Sequence, residues 1–242
     1  VQNVSFSYPG SERKALDNVS LSIASGETVA IVGANGSGKT TLSKLLCGLY
    51  TPDEGSITIG GADSSCTSPE KLYAKTSAVF QDYMRYGGLT LRENVDISDI
   101  LHKKDAETFM KQTGCSESLL ESDKMDSLMG REFDGLELSG GQWQRIAMAR
   151  GLYRDSNFIL LDEPTAAIDP LEDSRIDKMF ASVAKDKTCV LVTHRLGSAR
   201  IADRIIVMDA GHIVETGTHE ELLQKKGLYH EMWTSAAEQY VC

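Results

Sequence analysis

Long apolar runs are missing from this chain: the longest uninterrupted ones, such as Phe158-Ile159-Leu160-Leu161 and Cys189-Val190-Leu191-Val192, hold four residues. A membrane-spanning helix needs about 20 in succession, so no bilayer crossing is expected here. No charged segment followed by an apolar stretch opens the chain, so no secretory leader is expected either. The five cysteines, Cys47, Cys66, Cys115, Cys189 and Cys242, form no CxxC pair and no cluster with histidine. Such a dispersed, odd set reads as reduced thiols on the cytosolic side, and neither a disulfide frame nor a zinc site is predicted. Basic residues are also scarce: 25 Lys and Arg face 35 Asp and Glu, a net charge of −10. An acidic surface repels phosphate backbones, and nucleic acid is not an expected partner. Blocks of five like charges, internal repeats and low-complexity linkers are absent too.

What is present fits a globular domain. The chain has 242 residues, 41% hydrophobic and 25% charged, enough to bury a real core. The first 32 residues are rich in strand patterns. Val4, Phe6 and Tyr8 alternate with polar residues, as do Val19, Leu21 and Ile23, which predicts half-buried antiparallel strands. Residues 28–32 differ, because Val29, Ala30, Ile31 and Val32 are all apolar. That is the pattern of a parallel strand buried on both faces, and residues 158–161, 189–192 and 205–208 share it. Each is followed by polar residues, which suits strands whose C-terminal ends carry a site.

Helical stripes lie between them. Ile176, Met179, Phe180, Val183 and Ala184 recur at helical spacing, and Ala106, Phe109 and Met110 begin another stripe that Gly114 closes. The stretch from about 82 to 135 carries no buried-strand pattern and reads as an inserted helical unit. Asp209-Ala210-Gly211-His212 joins two apolar runs and predicts a hairpin turn.

Gly33-Ala34-Asn35-Gly36-Ser37-Gly38-Lys39-Thr40 matches GxxxxGK[ST] directly after the strand at 28–32. Glycines let successive backbone N–H groups curl around a phosphate, and the following helix adds positive partial charge. Lys39 would reach the β- and γ-phosphates of a nucleotide, and Thr40 would ligate Mg²⁺. Asp162 and Glu163 end the buried strand read at 158–163. Strand alternation points their side chains apart, which suits Asp162 to the Mg²⁺ shell and Glu163 to polarising the attacking water.

The pentapeptide Leu138-Ser139-Gly140-Gly141-Gln142 then names a family. With the phosphate loop and Leu161-Asp162-Glu163-Pro164, the chain closely resembles the nucleotide-binding domain of ABC transporters over essentially its whole length, in the family's motif order. The resemblance implies an α/β fold of the P-loop NTPase type. Its mostly parallel sheet core would carry an N-terminal antiparallel β-subdomain and an inserted α-helical signature subdomain. One domain, 1–242, is expected, with core and β-subdomain at about 1–81 and 136–242 and the helical subdomain at about 82–135. Position by position, it further implies that Tyr8 stacks on adenine and that Thr41 joins the phosphate loop's contacts to ATP. Gln81 would sense Mg²⁺ and γ-phosphate, Asp169 would contact the partner subunit, and His194 would be the switch histidine. Ser139, Gly140, Gly141 and Gln142 would close over ATP held by a second copy's phosphate loop, in a head-to-tail dimer.

The tail from Gly211 to Leu222, followed by Gly227-Leu228-Tyr229, is similar to exporter-type half-transporters, as are Gln81-Asp82-Tyr83 and Leu91-Arg92-Glu93-Asn94-Val95 to bacterial peptide and multidrug exporters. In that branch the nucleotide domain follows a fused membrane domain, which fits a chain that opens at Val1 without methionine. The expected place is therefore the cytoplasmic face of a membrane, with ATP hydrolysis driving export. An importer ATPase is the nearer rival. A non-transport ABC ATPase calls for two cassettes or a long coiled coil, whereas only 56 residues separate Gln81 from Leu138. A purely regulatory nucleotide-binding module is disfavoured by Glu163 and His194.

Overall fold

A computed structural model of the chain describes residues 1–164, 180 and 187–239. Its centre is a six-stranded sheet. The strands are β3 (Thr28–Gly33), β7 (Thr76–Val79), β8 (Phe158–Asp162), β9 (Thr188–Val192), β10 (Arg204–Asp209) and β11 (His212–Gly217), in the order β11-β10-β3-β9-β8-β7. All neighbours pair in parallel except β10 and β11. The apolar runs become the four central strands, because a strand covered on both faces has no solvent side to leave polar. β3 illustrates this: Val29 and Ile31 enter one core, and Ala30 and Val32 enter the core on the opposite face.

The first core lies between the sheet, helix α1 (Lys39–Leu46) and a small antiparallel sheet of β1 (Gln2–Phe6), β2 (Leu16–Val19) and β4 (Glu54–Ser56). Leu42 and Leu45 of α1 are fully buried there, each worth about 1.5–3 kcal/mol of transfer free energy. β5 (Thr58–Ile59) and β6 (Ala62–Asp63) form a separate short hairpin. The N-terminal strands depart from the alternation: β2 covers residues 16–19, and Leu21 and Ile23, expected to continue a strand from Val19, lie beyond it and pack on the same core. β1 stops at Phe6 because the amide of Ser7 leaves the ladder for the Asp53 carboxylate, 2.7 Å away. Ser5 is buried beside Val4 and Phe6, so β1 is not simply half-buried; its hydroxyl is satisfied by Asp17, Lys14 and the Asn18 amide.

A helical layer follows α2 (Pro69–Tyr73), built from α3 (Glu93–Asp96), α4 (Ala106–Gln112), α5 (Ser122–Met125) and α6 (Gly140–Tyr153). Gly114, at φ +76°, lets the chain turn after α4. Helix α6 is buried on nearly every side. Trp143, Ile146, Ala149 and Tyr153 join the helical core, while Ala147, Met148 and Leu152 pack on the sheet with Ile159 and Leu161. Gly151 allows the closest approach: a Cβ there would lie 2.5 Å from Val79, and the Ser77 hydroxyl donates to the Gly151 carbonyl. α6 is thus shared between the sheet and the helical layer.

At the far edge, Ala210 (φ +45°) and Gly211 (φ +87°) make the predicted hairpin turn between β10 and β11. The helices Leu196–Ala199, His219–Lys225 and Leu228–Gln239 cover the remaining face, with Leu196, Ala199, Leu222 and Tyr229 buried against Ala30, Val32, Ile205 and Val207. Among the described residues, no helix is long and apolar enough to cross a membrane. The helical stripe expected at 176–184 lies outside the described residues, apart from buried Phe180.

Candidate nucleotide site

Residues 33–38 cross from the end of β3 into α1 at the C-terminal edge of the sheet. Three glycines make the curl, Gly33, Gly36 and Gly38, all with φ between +77° and +152°. A Cβ on Gly33 would strike the Met208 carbonyl oxygen at 2.2 Å, and one on Gly38 would meet the Ala15 oxygen at 2.8 Å. The loop is therefore gripped by β10 on one side and by the segment before β2 on the other. The hairpin tip adds a further hold, since the Gly211 amide donates to the Ser37 carbonyl. Lys39 folds over its own loop and donates to the carbonyls of Gly33 and Ala34, each at 2.9 Å. Burial lowers its pKa, opposed by the charges of Glu163 and Asp162.

An open cleft of about 400 Å³ runs along this loop. Of the residues expected at the site, Tyr8, Asn35, Gly36, Gly38, Lys39, Thr40, Thr41, Gln81 and Glu163 line it. Tyr8 sits against Phe6 and Tyr50 in edge contacts and shares a 3.1 Å hydrogen bond with the Thr41 hydroxyl. Gln81 reaches the cleft from just beyond β7 and is exposed. β7 carries only an interrupted apolar pattern and occupies the sheet edge, which is why its signal is weak in the sequence.

Asp162 is the last residue of β8 and is buried. Desolvation raises its pKa to about 6, helped by the charge of Glu163 and opposed by the Thr40 hydroxyl and Lys39. Its Oδ1 is buried without a hydrogen-bond partner. The orphaned carboxylate oxygen next to the Thr40 hydroxyl, with the Gln81 amide lining the same cleft as Thr40, offers the kind of oxygen donors that a hard cation such as Mg²⁺ takes. The residues present fit that ion.

Glu163 lies one step past the strand with φ +49°, a left-handed conformation uncommon for a side chain with a Cβ. Its amide donates to the Val192 carbonyl at 2.8 Å, which extends the β8–β9 pairing. Its Oε1 is 3.3 Å from Nδ1 of His194, two residues beyond β9. Parallel neighbours β8 and β9 thus bring together residues 31 positions apart in the chain.

Ser139 to Gln142 do not line this cleft. They form the start of α6, where Ser139 Oγ accepts from the Gln142 amide and Gln142 Oε1 accepts from the Ser139 amide. A Cβ on Gly140 would meet nothing within 4 Å, so this helix end opens outward. Asp169 falls outside the described residues. Sequence reasoning missed Ser11, Arg13 and Lys14, which rim the cleft beyond Tyr8, and Gln144, whose amide meets the Glu163 carbonyl. Only the loop spacing after Tyr8 could have pointed to the first group, and nothing local pointed to Gln144.

The profile of the family described as ABC transporter matches residues 16–166. The subtilin transport ATP-binding protein SpaT of Bacillus subtilis is 43% identical over 236 residues, 96% of this chain and 38% of that protein. The nisin transport ATP-binding protein NisT of Lactococcus lactis subsp. lactis is 39% identical over 246 residues, 99% of this chain and 40% of that protein. The ATP-dependent lipid A-core flippase of Vibrio parahaemolyticus serotype O3:K6 is 37% identical over 96% of this chain and 40% of its own length. A solved structure described as a bacterial Atm1-family ABC exporter with ATP bound superposes with a TM-score of 0.88 at 34% identity, covering 98% of this chain and 41% of that one. The chain therefore spans about two fifths of the length of these relatives.

Proposed function

We propose that this chain, which belongs to the ABC transporter family, hydrolyses ATP to drive export across a membrane. The observation that carries the reading is the convergence of Tyr8, the phosphate loop, Gln81 and Glu163 on one cleft, with His194 set on Glu163. Adenine would rest on Tyr8, and the phosphates would lie in the loop 33–40, whose amides and Lys39 neutralise their charge. ATP would displace the Gly33 and Ala34 carbonyls from Lys39. Thr40, Gln81 and Asp162 would hold Mg²⁺, which when bound neutralises charge building on the β- and γ-phosphate oxygens.

Glu163 accepts a proton from the attacking water as the water oxygen bonds to the γ-phosphorus. The bond from that phosphorus to the bridging oxygen breaks, and ADP leaves with the electron pair. His194 holds the Glu163 carboxylate in place for this step. The outward-facing start of α6 would cover the phosphates of a second copy's ATP, with Asp169 in the same contact, giving a two-fold head-to-tail pair. The membrane domain would be fused ahead of Val1, and this domain would lie on the cytoplasmic face. Two of the relatives are named for subtilin and nisin transport and one for lipid A-core flipping, and the higher identity of the first two favours their kind of cargo for this chain.

The test is ATP turnover by the full chain beside two variants. Lys39→Ala should abolish turnover with Mg²⁺ present. Glu163→Gln should retain labelled ATP through a desalting column while releasing no phosphate, because the amide keeps the shape and cannot take the proton. Parent-level hydrolysis by either variant would sink the assignment of that residue.

A further inference from the structure

Glu163 is held on both sides of its peptide. Its amide bonds to Val192 of β9, and its carbonyl accepts from Nε2 of Gln144 at 3.3 Å. Gln144 is buried in α6 and lies five residues past Ser139, about 7.5 Å along the helix. Between these two bonds the backbone of Glu163 takes φ +49°, a conformation that persists only where surrounding contacts over-determine it. The direction of the carboxylate depends on that backbone, since one residue of ordinary strand geometry would turn the side chain to the other face of the sheet.

We propose that Gln144 is a positioning residue for Glu163, fixing the carbonyl that sets the direction of the catalytic carboxylate. Its place on α6 has a consequence. By the reading given above, the start of α6 serves the partner's ATP while Glu163 serves the chain's own. Gln144 then ties the two sites together within one chain, through its hydrogen bond from the signature helix to the Glu163 carbonyl. The inference rests on that reading of Glu163 and of Ser139 to Gln142.

Gln144→Met tests it, because methionine keeps the length and buried shape and lacks the donor. Loss of one hydrogen bond to the carbonyl should lower kcat by roughly tenfold, with KM for ATP changed less than about twofold. Glu163→Gln combined with Gln144→Met should show the same residual rate as Glu163→Gln alone, since the second change acts only through the first. The double variant should also retain labelled ATP through desalting as Glu163→Gln does. A packing defect in α6 would instead lower that retention and raise KM, and either result overturns the proposal. So does a parent-level kcat in Gln144→Met while Glu163→Gln is inactive, which leaves the ATPase reading standing. Parent-level turnover by Glu163→Gln would remove the base itself, and the proposal falls with it.

Discussion

His194 Nδ1 stands 3.3 Å from Oε1 of Glu163, although the imidazole is about half exposed and the carboxylate is nearly enclosed. The contact joins the ends of two parallel strands, so its geometry is set by the β8–β9 register and by no local feature of either residue. His194→Ala should leave ATP affinity within about twofold and lower turnover by roughly 10- to 100-fold, because the Glu163 carboxylate loses the close partner that holds it. His194→Gln should recover part of that loss. Phosphate release at saturating ATP measures the first effect and nucleotide titration the second; a loss of affinity equal to the loss of rate would make His194 a binding residue.

Tyr8 contributes a ring and a hydroxyl that can be separated. The hydroxyl bonds Thr41 at 3.1 Å. Tyr8→Phe removes that bond alone and should cost about 0.5–1.5 kcal/mol of nucleotide affinity at most. Tyr8→Ala also removes the ring and should cost roughly 1–3 kcal/mol beyond it if adenine stacks there. Calorimetric titration with ADP decides: equal losses in the two variants would mean that the ring carries no stacking.

Much of this site is legible along the chain, because residues 33–40 and 158–163 each combine a buried strand with the polar group it delivers. A parallel strand covered on both faces announces itself by continuous apolar residues, and a loop that must wrap phosphate announces itself by glycine. The order of the central strands is another matter. β3 lies between β10 and β9, distant in sequence, and nothing in residues 28–33 specifies those neighbours. Two other strands are equally hard to read: Ser5 in β1, the middle strand of the small sheet, is polar yet buried, and β7, at the edge of the large sheet, alternates where an inner strand would not. Gln144 is the sharpest case. It looks like one polar residue on a mostly apolar helix, and its meaning depends on the Glu163 carbonyl, 19 positions ahead.

Asp162 gives a pH signature in the protein free of metal and nucleotide. Its folded pKa is raised to about 6 from 3.8, chiefly by burial. The folded state therefore binds the proton more tightly than the unfolded state. Stability from this group is fully present below the unfolded value and is lost as pH rises through the folded one. From pH 5 to pH 8 the expected loss is about 1.4 kcal/mol, because the unfolded chain is already ionised at the lower limit. Asp162→Asn has no such proton, so the denaturant midpoints of parent and variant should separate in favour of the variant mainly between pH 5 and pH 7 and run parallel above that. Added Mg²⁺ should narrow the gap by stabilising the parent's carboxylate. A gap that stays constant from pH 5 to pH 8 would mean that Asp162 is already ionised throughout.

The start of α6 faces away from the chain's own cleft, and that separation makes the shared-site reading testable. Lys39→Ala breaks the phosphate loop, and Ser139→Arg puts a bulky charge at the helix start that would cover a second copy's ATP. The serine change also removes the cap on the Gln142 amide, which costs about 1 kcal/mol, so a thermal melt must first show the variant folded. Each variant alone should be inactive, since every site in its homodimer has one broken half. Mixed, they pair so that one site collects both defects and the other collects none. Random pairing makes about half the dimers mixed, each with one intact site, so roughly a quarter of parent turnover should return if the sites fire independently. Obligate joint firing predicts no recovery, so the mixture measures coupling between sites. The deciding result comes from Ser139→Arg alone. A folded Ser139→Arg variant that hydrolyses ATP at the parent rate cannot be reconciled with a helix start that completes the partner's site, and Gln144 would then tie Glu163 to a surface with no part in the chemistry.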